Sequence, residues 1–227
     1  MRICAISDLH GLLPELEPCD LVLIAGDISP LSIQQNIPLM DSWLFNKFIP
    51  WINNLDCGNV ILVAGNHDFW FERASESSIL LLQSGTNFKL RYLCNQLYYI
   101  AKDDGSNIKI FGTPYCHRFG NWPFMKTDDI LIEKFKEIPK NLDILISHDP
   151  PYGICDIDCI LENMIPDHVG GTVLADRILE IKPSMVICGH IHSGEHNPTL
   201  IGKTTYVNVS LLNESYKYKY KPYYFEL

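Results

Sequence analysis

Five short apolar runs in this chain each stop at a side chain able to bind a cation, and few folds accommodate that pattern. Ile3–Ile6 leads into Ser7-Asp8-Leu9-His10, and Leu21–Ala25 into Gly26-Asp27. Val60–Ala64 leads into Gly65-Asn66-His67-Asp68. Ile144–Ile146 leads into Ser147-His148-Asp149-Pro150-Pro151, and Met185–Cys188 into Gly189-His190-Ile191-His192. Runs this short and this apolar are the mark of strands covered on both faces. In open α/β sheets, ligands gather at the carboxyl ends of the strands, so all five clusters should converge on one rim.

Two further runs, Ile108–Phe111 and Tyr206–Val209, read as strands of the same kind. Helical patterning lies between the runs. In residues 38–55, Leu39, Trp43, Leu44, Phe48, Trp51, Ile52 and Leu55 recur at mixed three- and four-residue steps, with Pro50 expected to bend or break the stretch. Residues 72–83 and 127–138 read as shorter amphipathic helices, the second with Thr127 as its cap. Residues 171–181 make another, stopped by Pro183. Strands alternating with helices predict an α/β layered architecture.

The donors suit a two-metal centre. Asp, Asn and His supply oxygen and imidazole nitrogen, a set matched to manganese, iron or zinc. Side-chain direction along a strand has period two, so Asp8 with His10, and His190 with His192, leave on the same side. Glycines at 26, 65 and 189 allow sharp turns and close approach of the backbone. Any one of these motifs alone is a turn or a cap as readily as a ligand; five in sequence, each at a strand end, are not.

In that order, Asp-x-His, Gly-Asp, Gly-Asn-His-Asp, His-x-Pro-Pro and Gly-His-x-His resemble the calcineurin-like metallophosphoesterase superfamily, from Ile3 to about Val209. Phe111-Gly-Thr-Pro-Tyr through Trp122-Pro-Phe, and Val169-Gly-Gly-Thr-Val-Leu, resemble its metallophosphoesterase-domain-containing branch. The resemblance implies one domain over residues 1–227, built from two packed mixed β-sheets flanked by helices. It implies two divalent metal ions, one held by Asp8, His10 and His192, the other by Asn66, His148 and His190, with Asp27 bridging. His67 would face the phosphate outside the coordination shell, and Asp68 would orient and polarise it. The implied reaction is phosphoester hydrolysis by a metal-bridging hydroxide. Phosphodiesters of small molecules or nucleotides are favoured. The alternatives are a phosphomonoesterase on the same centre and a metal-binding scaffold with little turnover.

Composition bears on partners. A net charge of −9 argues against a broad grip on nucleic acid, but a small phosphorylated substrate is admissible where bound cations reverse the local sign. Eight cysteines, two of them inside apolar runs, read as free thiols. With no removable leader and no membrane-length apolar run, they predict a cytoplasmic setting. The Tyr-Lys alternation at 216–221 reads as a terminal edge strand guarded by lysine.

Three features depart from the family pattern or have no place in it. Asp149 follows His148 where a small or neutral residue is common. His117 and Arg118 match no motif position, and Arg118 is expected to be a solvated surface group. Cys155, Asp156, Asp158, Cys159, Asp167 and His168 fall in a segment expected to line the substrate cleft in preference to holding a separate zinc.

Overall fold

The computed structural model describes residues 1–102, 104–158 and 167–227. The first half contains β1 (Arg2–Ile6), β2 (Leu21–Ala25), α1 (Ile37–Trp43), a π-helical turn (Leu44–Phe48), α2 (Ile49–Asn54), β3 (Asn59–Val63), α3 (Phe69–Arg73), α4 (Glu76–Gly85), β4 (Leu90–Tyr92) and β5 (Gln96–Ala101). There follow β6 (Asn107–Thr113), β7 (Cys116–His117), β8 (Met125–Lys126), α5 (Asp128–Lys136), β9 (Ile144–Ser147), β10 (Ile157–Asp158) and β11 (Asp167–His168). The chain ends with α6 (Thr172–Ile181), β12 (Met185–Cys188), β13 (Thr199–Ile201), β14 (Thr204–Asn208) and β15 (Tyr223–Glu226).

These strands form two large mixed sheets. One has the order β15-β1-β2-β3-β4, with β15 antiparallel and the rest parallel. The other has the order β13-β14-β12-β9-β6-β5, with four parallel strands between two antiparallel edges. Alternation along each strand sorts side chains into layers. Ile3, Ala5, Leu21, Leu23, Ile61 and Val63 from the first sheet pack against Ile108, Ile110, Ile144, Ile146, Ile187 and Val207 from the second. The intervening residues Cys4, Ile6, Val22, Ile24, Val60 and Leu62 face Met40, Phe48, Ile52 and Leu82 of the helices. On the far side, Phe111, Leu145, Val186 and Tyr206 meet Leu131, Phe135, Leu174 and Ile178 of α5 and α6. Each central strand is therefore buried on both faces, which explains its uninterrupted apolar run.

Several local expectations change. Pro50 neither breaks the helix nor kinks it alone. The preceding turn widens so that the Ile49 amide donates to the Leu44 carbonyl, and Pro50 falls in the first turn of α2, where a missing amide proton costs nothing. The single helix expected over 72–83 is two: the chain turns extended at Ala74, and Ser75 accepts from the Ser78 amide to start α4. Thr127 does stand at the cap position of α5, but its side chain makes no capping bond. The Tyr-Lys segment is not a strand. It turns at Tyr216, whose φ is 55°, and the edge strand is β15, seven residues further on at Tyr223.

Candidate metal centre

β1, β2 and β3 of one sheet and β9 and β12 of the other end on the same rim. The sheets are joined there: the Ser7 amide donates to the Val209 carbonyl at 2.9 Å, and the Leu211 amide to the Ser7 carbonyl at 3.0 Å. Immediately beyond the strands the backbone bends hard. Asp8, His10, Asp27 and His190 have φ values of 54°, 42°, 53° and 69°, a left-handed region that costs non-glycine residues of order 1–3 kcal/mol each. Amide-to-carbonyl bonds from Asp8 to Gly26 (3.0 Å) and from His10 to Asp27 (2.9 Å) hold the first two bends together.

The bends deliver two triads. Asp8, His10 and His192 bring ligand atoms within 4.8 Å of one another, and so do Asp27, His148 and His190. Each triad takes members from both sheets. Asp27 spans them: its Oδ2 lies 3.9 Å from His10 Nε2 and 3.3 Å from His148 Nε2. Asn66 joins the second triad, its Oδ1 3.0 Å from His148 Nε2. Glycine makes the approach feasible. A Cβ on Gly26, whose φ is 105°, would lie 2.5 Å from His148 Nδ1, and one on Gly189 would collide with Ser7 Oγ and Asp8 Oδ2.

The electrostatics are those of a crowded, dry cluster. Burial alone would lower the His148 pKa, but the Asp27 charge and hydrogen bond outweigh it and push it up to about 10. Burial likewise opposes His192, which Asp8 nevertheless raises to about 9. Burial followed by the charge of His148 drives His190 down to about 4. Burial resists ionisation of Asp8 and Asp27, yet the surrounding imidazoles hold both below the ordinary carboxylate range. His10, also pushed down to about 4 by burial, has both ring nitrogens enclosed with no hydrogen-bond partner among the described residues. An orphaned imidazole is costly unless something binds it. A divalent cation at each triad fits this donor set, since imidazole nitrogen and carboxylate oxygen are its common ligands.

Backing contacts aim the candidate ligands. Ser210 Oγ donates to Asp8 Oδ2 (2.6 Å), His148 Nδ1 to the Ala25 carbonyl (2.8 Å) and His192 Nδ1 to the Asn213 carbonyl (2.9 Å). The two Nδ1 bonds leave Nε2 as the free ring nitrogen.

His67 borders the centre. Its amide donates to Asp27 Oδ1 at 2.7 Å, and its ring lies edge-on to His10 at 5.0 Å. The expected partnership with Asp68 is not formed. Asp68 is fully buried and accepts from Ser29 Oγ (2.6 Å), the Ser29 amide (3.0 Å) and the Gly65 amide (2.8 Å). It ties the loop after β2 to the loop after β3, and burial, then the Asp27 charge, pushes its pKa up to about 6. The group on His67 Nδ1 is Gln34 Oε1, at 2.7 Å. Sequence reading missed Gln34 because nothing in its loop is periodic or recurrent.

A cavity of about 690 Å³ opens above the rim, lined by Asp27, Asn66, His67, His190 and His192. Phe119, Trp122 and Tyr216 wall it, with Asp158 and Glu214 adding acidity. Trp122 lies 4.7 Å from the His67 ring, and Tyr216 5.0 Å from that of His10. His117 faces the same cavity. Arg118 is exposed, as expected, and its Nε donates to the Gly120 carbonyl at 3.4 Å. Asp158 and Val169 of the 155–168 region and its border reach the cavity edge, while Cys159 lies outside the described residues. Asp156 there bonds the Gly153 and Gly170 amides and His168 Nδ1, serving as a loop tie.

Two packed mixed sheets bring two candidate metal-holding triads, each bearing carboxylate and imidazole, to one rim. The chain belongs to the calcineurin-like phosphoesterase family, whose profile matches residues 1–194. The family's chemistry is metal-dependent phosphoester hydrolysis, generally on a dinuclear divalent centre. UPF0046 protein C25E10.12 of Caenorhabditis elegans is 28% identical over 237 residues, spanning 100% of this chain and 81% of that protein. Metallophosphoesterase domain-containing protein 1 of Homo sapiens is 26% identical, over 95% of this chain and 68% of its own length. The crystal structure of TT1561 of Thermus thermophilus shares the fold, with a TM-score of 0.60, 12% identity, and 91% and 88% of the two chains covered. No helix among the described residues is long and apolar enough to cross a membrane.

Proposed function

We propose that the chain is a phosphodiesterase acting on small molecules, with Asp8, His10 and His192 holding one divalent ion and Asn66, His148 and His190 the other. Asp27 would belong to both, and the observation that carries this is its 3.9 Å and 3.3 Å spacing from His10 and His148, beside a His10 ring with no hydrogen-bond partner among the described residues. Manganese, iron and zinc suit these donors. Such ions, when bound, acidify a water and neutralise phosphoryl charge. The chain's own residues do the rest. His67 hands a proton to the leaving oxygen, with Nδ1 kept on Gln34 so that Nε2 does the transfer.

Room for a second ester arm under Phe119, Trp122 and Tyr216 favours diesters over monoesters. The acidic net charge, with Asp158 and Glu214 at the cavity, favours a small phosphorylated partner over nucleic acid. Seven free cysteines among the described residues support a reducing, cytoplasmic setting.

The test supplies manganese to the parent and to Asp27→Ala and follows a chromogenic phosphodiester and monoester alongside bound metal. The variant should lose metal and turnover together, and the parent should prefer the diester. An Asp27→Ala protein that hydrolyses like the parent sinks the proposal.

A further inference from the structure

Two of the departures from the family pattern, His117 and Asp149, meet in space. His117 Nδ1 lies 2.8 Å from Asp149 Oδ2, and the His117 amide donates to the same oxygen at 3.0 Å. The Asp149 side chain is 1% exposed, and its other oxygen is buried with no hydrogen-bond partner among the described residues. A buried carboxylate half-satisfied in this way leans on its ion-pair partner, His117. The pocket for it is built: a side chain on Gly171 would bring a Cβ within 2.8 Å of Asp149 Oδ2. A carboxylate oxygen only accepts, so Nδ1 carries a proton and Nε2 is left for the cavity that His117 lines. Burial opposes protonation of the ring, but the hydrogen bond and charge of Asp149 raise its pKa above the usual histidine value, and Asp128 and Asp156 add to this. A carboxylate paired at 2.8 Å favours the imidazolium, in which Nε2 is a donor as well.

The position is not that of the chemistry. Phe119 stands between, its ring 5.5 Å from His117 and 5.5 Å from His190. His117 therefore reaches past the metal triads, one aromatic ring further out, to whatever arm the phosphoryl group carries.

We propose that His117, aimed by Asp149, is a specificity residue that donates Nε2–H to an anionic oxygen on the non-scissile arm of the substrate. This rests on the phosphodiesterase reading. It assigns the arm a chemical class, a carboxylate or a further phosphate, which that reading leaves open. A structural tie between β7 and the loop after β9 is the competing account, and isosteres separate the two. Asparagine puts an N–H where Nδ1 is and keeps the tie; glutamine puts one where Nε2 is and loses it.

The experiment compares 4-nitrophenyl phosphodiesters whose second arm is an ω-carboxyalkyl chain or an uncharged alkyl chain of equal length, with manganese supplied. The parent should prefer the carboxylate arm about tenfold in kcat/KM, the size of one charged hydrogen bond, and the preference should lie in KM. His117→Asn should erase the preference, His117→Gln should retain part of it, and Asp149→Asn should weaken it. Titrating the parent with the carboxyalkyl phosphate product should also move the His117 Nε2 resonance in ¹⁵N spectra. That readout needs no turnover, so loss of hydrolysis in every arm alongside an intact shift would fault the phosphodiesterase reading alone. A parent indifferent to the arm, or a His117→Asn protein with the parent's ratio, overturns the assignment.

Discussion

Gln34 Oε1 accepts a hydrogen bond from His67 Nδ1 at 2.7 Å, across 33 residues of chain. The imidazole beside the metal centre is therefore oriented by a neutral amide and not by a carboxylate. Its proton is fixed on Nδ1 without an added negative charge next to the incoming phosphate.

That pairing predicts how Gln34 variants fail. Gln34→Ala should lower kcat about tenfold, a fraction of what a positioned acid contributes, with metal content and KM near the parent's. The loss should steepen as the leaving group worsens. Gln34→Glu, which keeps an acceptor oxygen for His67 Nδ1, should recover most of the lost kcat. A flat dependence on leaving group in Gln34→Ala would remove His67 from proton transfer.

Asp68 calls for a stability measurement. Its bonds to Ser29 and Gly65 are fully buried, so Asp68→Ala strands several donors at once. Each stranded donor costs about 1–3 kcal/mol. Urea denaturation of the metal-free protein should register a loss in that range or above, with Asp68→Asn intermediate. Parent-like stability in Asp68→Ala would show that the two loops are held by something else.

Gly65 is a narrower probe of the centre. An added Cβ would collide with Asp27 Oδ1 and lie 2.6 Å from His148 Cε1. Displacing a group of the proposed metal centre by about 1 Å costs roughly a hundredfold in rate. Gly65→Ala should therefore show reduced metal content and a rate loss of that order. Full occupancy at parental rate would mean Asp27 has slack that the geometry does not suggest.

Protons and metal ions compete for the same nitrogens. His192 and His148 are raised to about 9 and about 10 in the metal-free protein. A raised histidine stabilises the fold fully below its unfolded pKa of about 6.5 and loses that contribution as pH rises through the folded value. Between about pH 6.5 and 9 the metal-free protein thus holds protons that a ligating imidazole must give up. Loading manganese at about pH 7.5 should release protons, so its calorimetric heat should change with the ionisation enthalpy of the buffer. Apparent affinity should strengthen as pH rises over the same window. Buffer-independent heat would count against ligation by these two residues.

The strand-end clusters were readable because burial on both faces leaves an unbroken apolar run, and the polar residue that ends it stands out. Asp8, Asp27 and His148 could be found that way. Gln34 could not, because a loop residue 33 positions from its partner has no pattern to betray it. Asp68 sat beside His67 in sequence and was expected to touch it. The tight turn after β3 instead sends its carboxylate back to the Gly65 amide. The Tyr-Lys alternation copied a strand's period, but sequence does not reveal that the chain turns left-handed at Tyr216 to bring that ring against His10. His117 and Asp149 were each visible as oddities, and only the fold shows that they are one feature.

Each triad draws members from both sheets, so a cation bound there acts as a rivet through the middle of the chain. Asp8 and His192 are 184 residues apart, and closing so long a loop restricts the unfolded ensemble much as a cross-link does. Demetallation should then speed unfolding more than the loss of a few surface contacts would, because the two halves of the molecule lose the same fastener at once. Resistance to proteolysis becomes, in effect, a gauge of how many ions the protein carries.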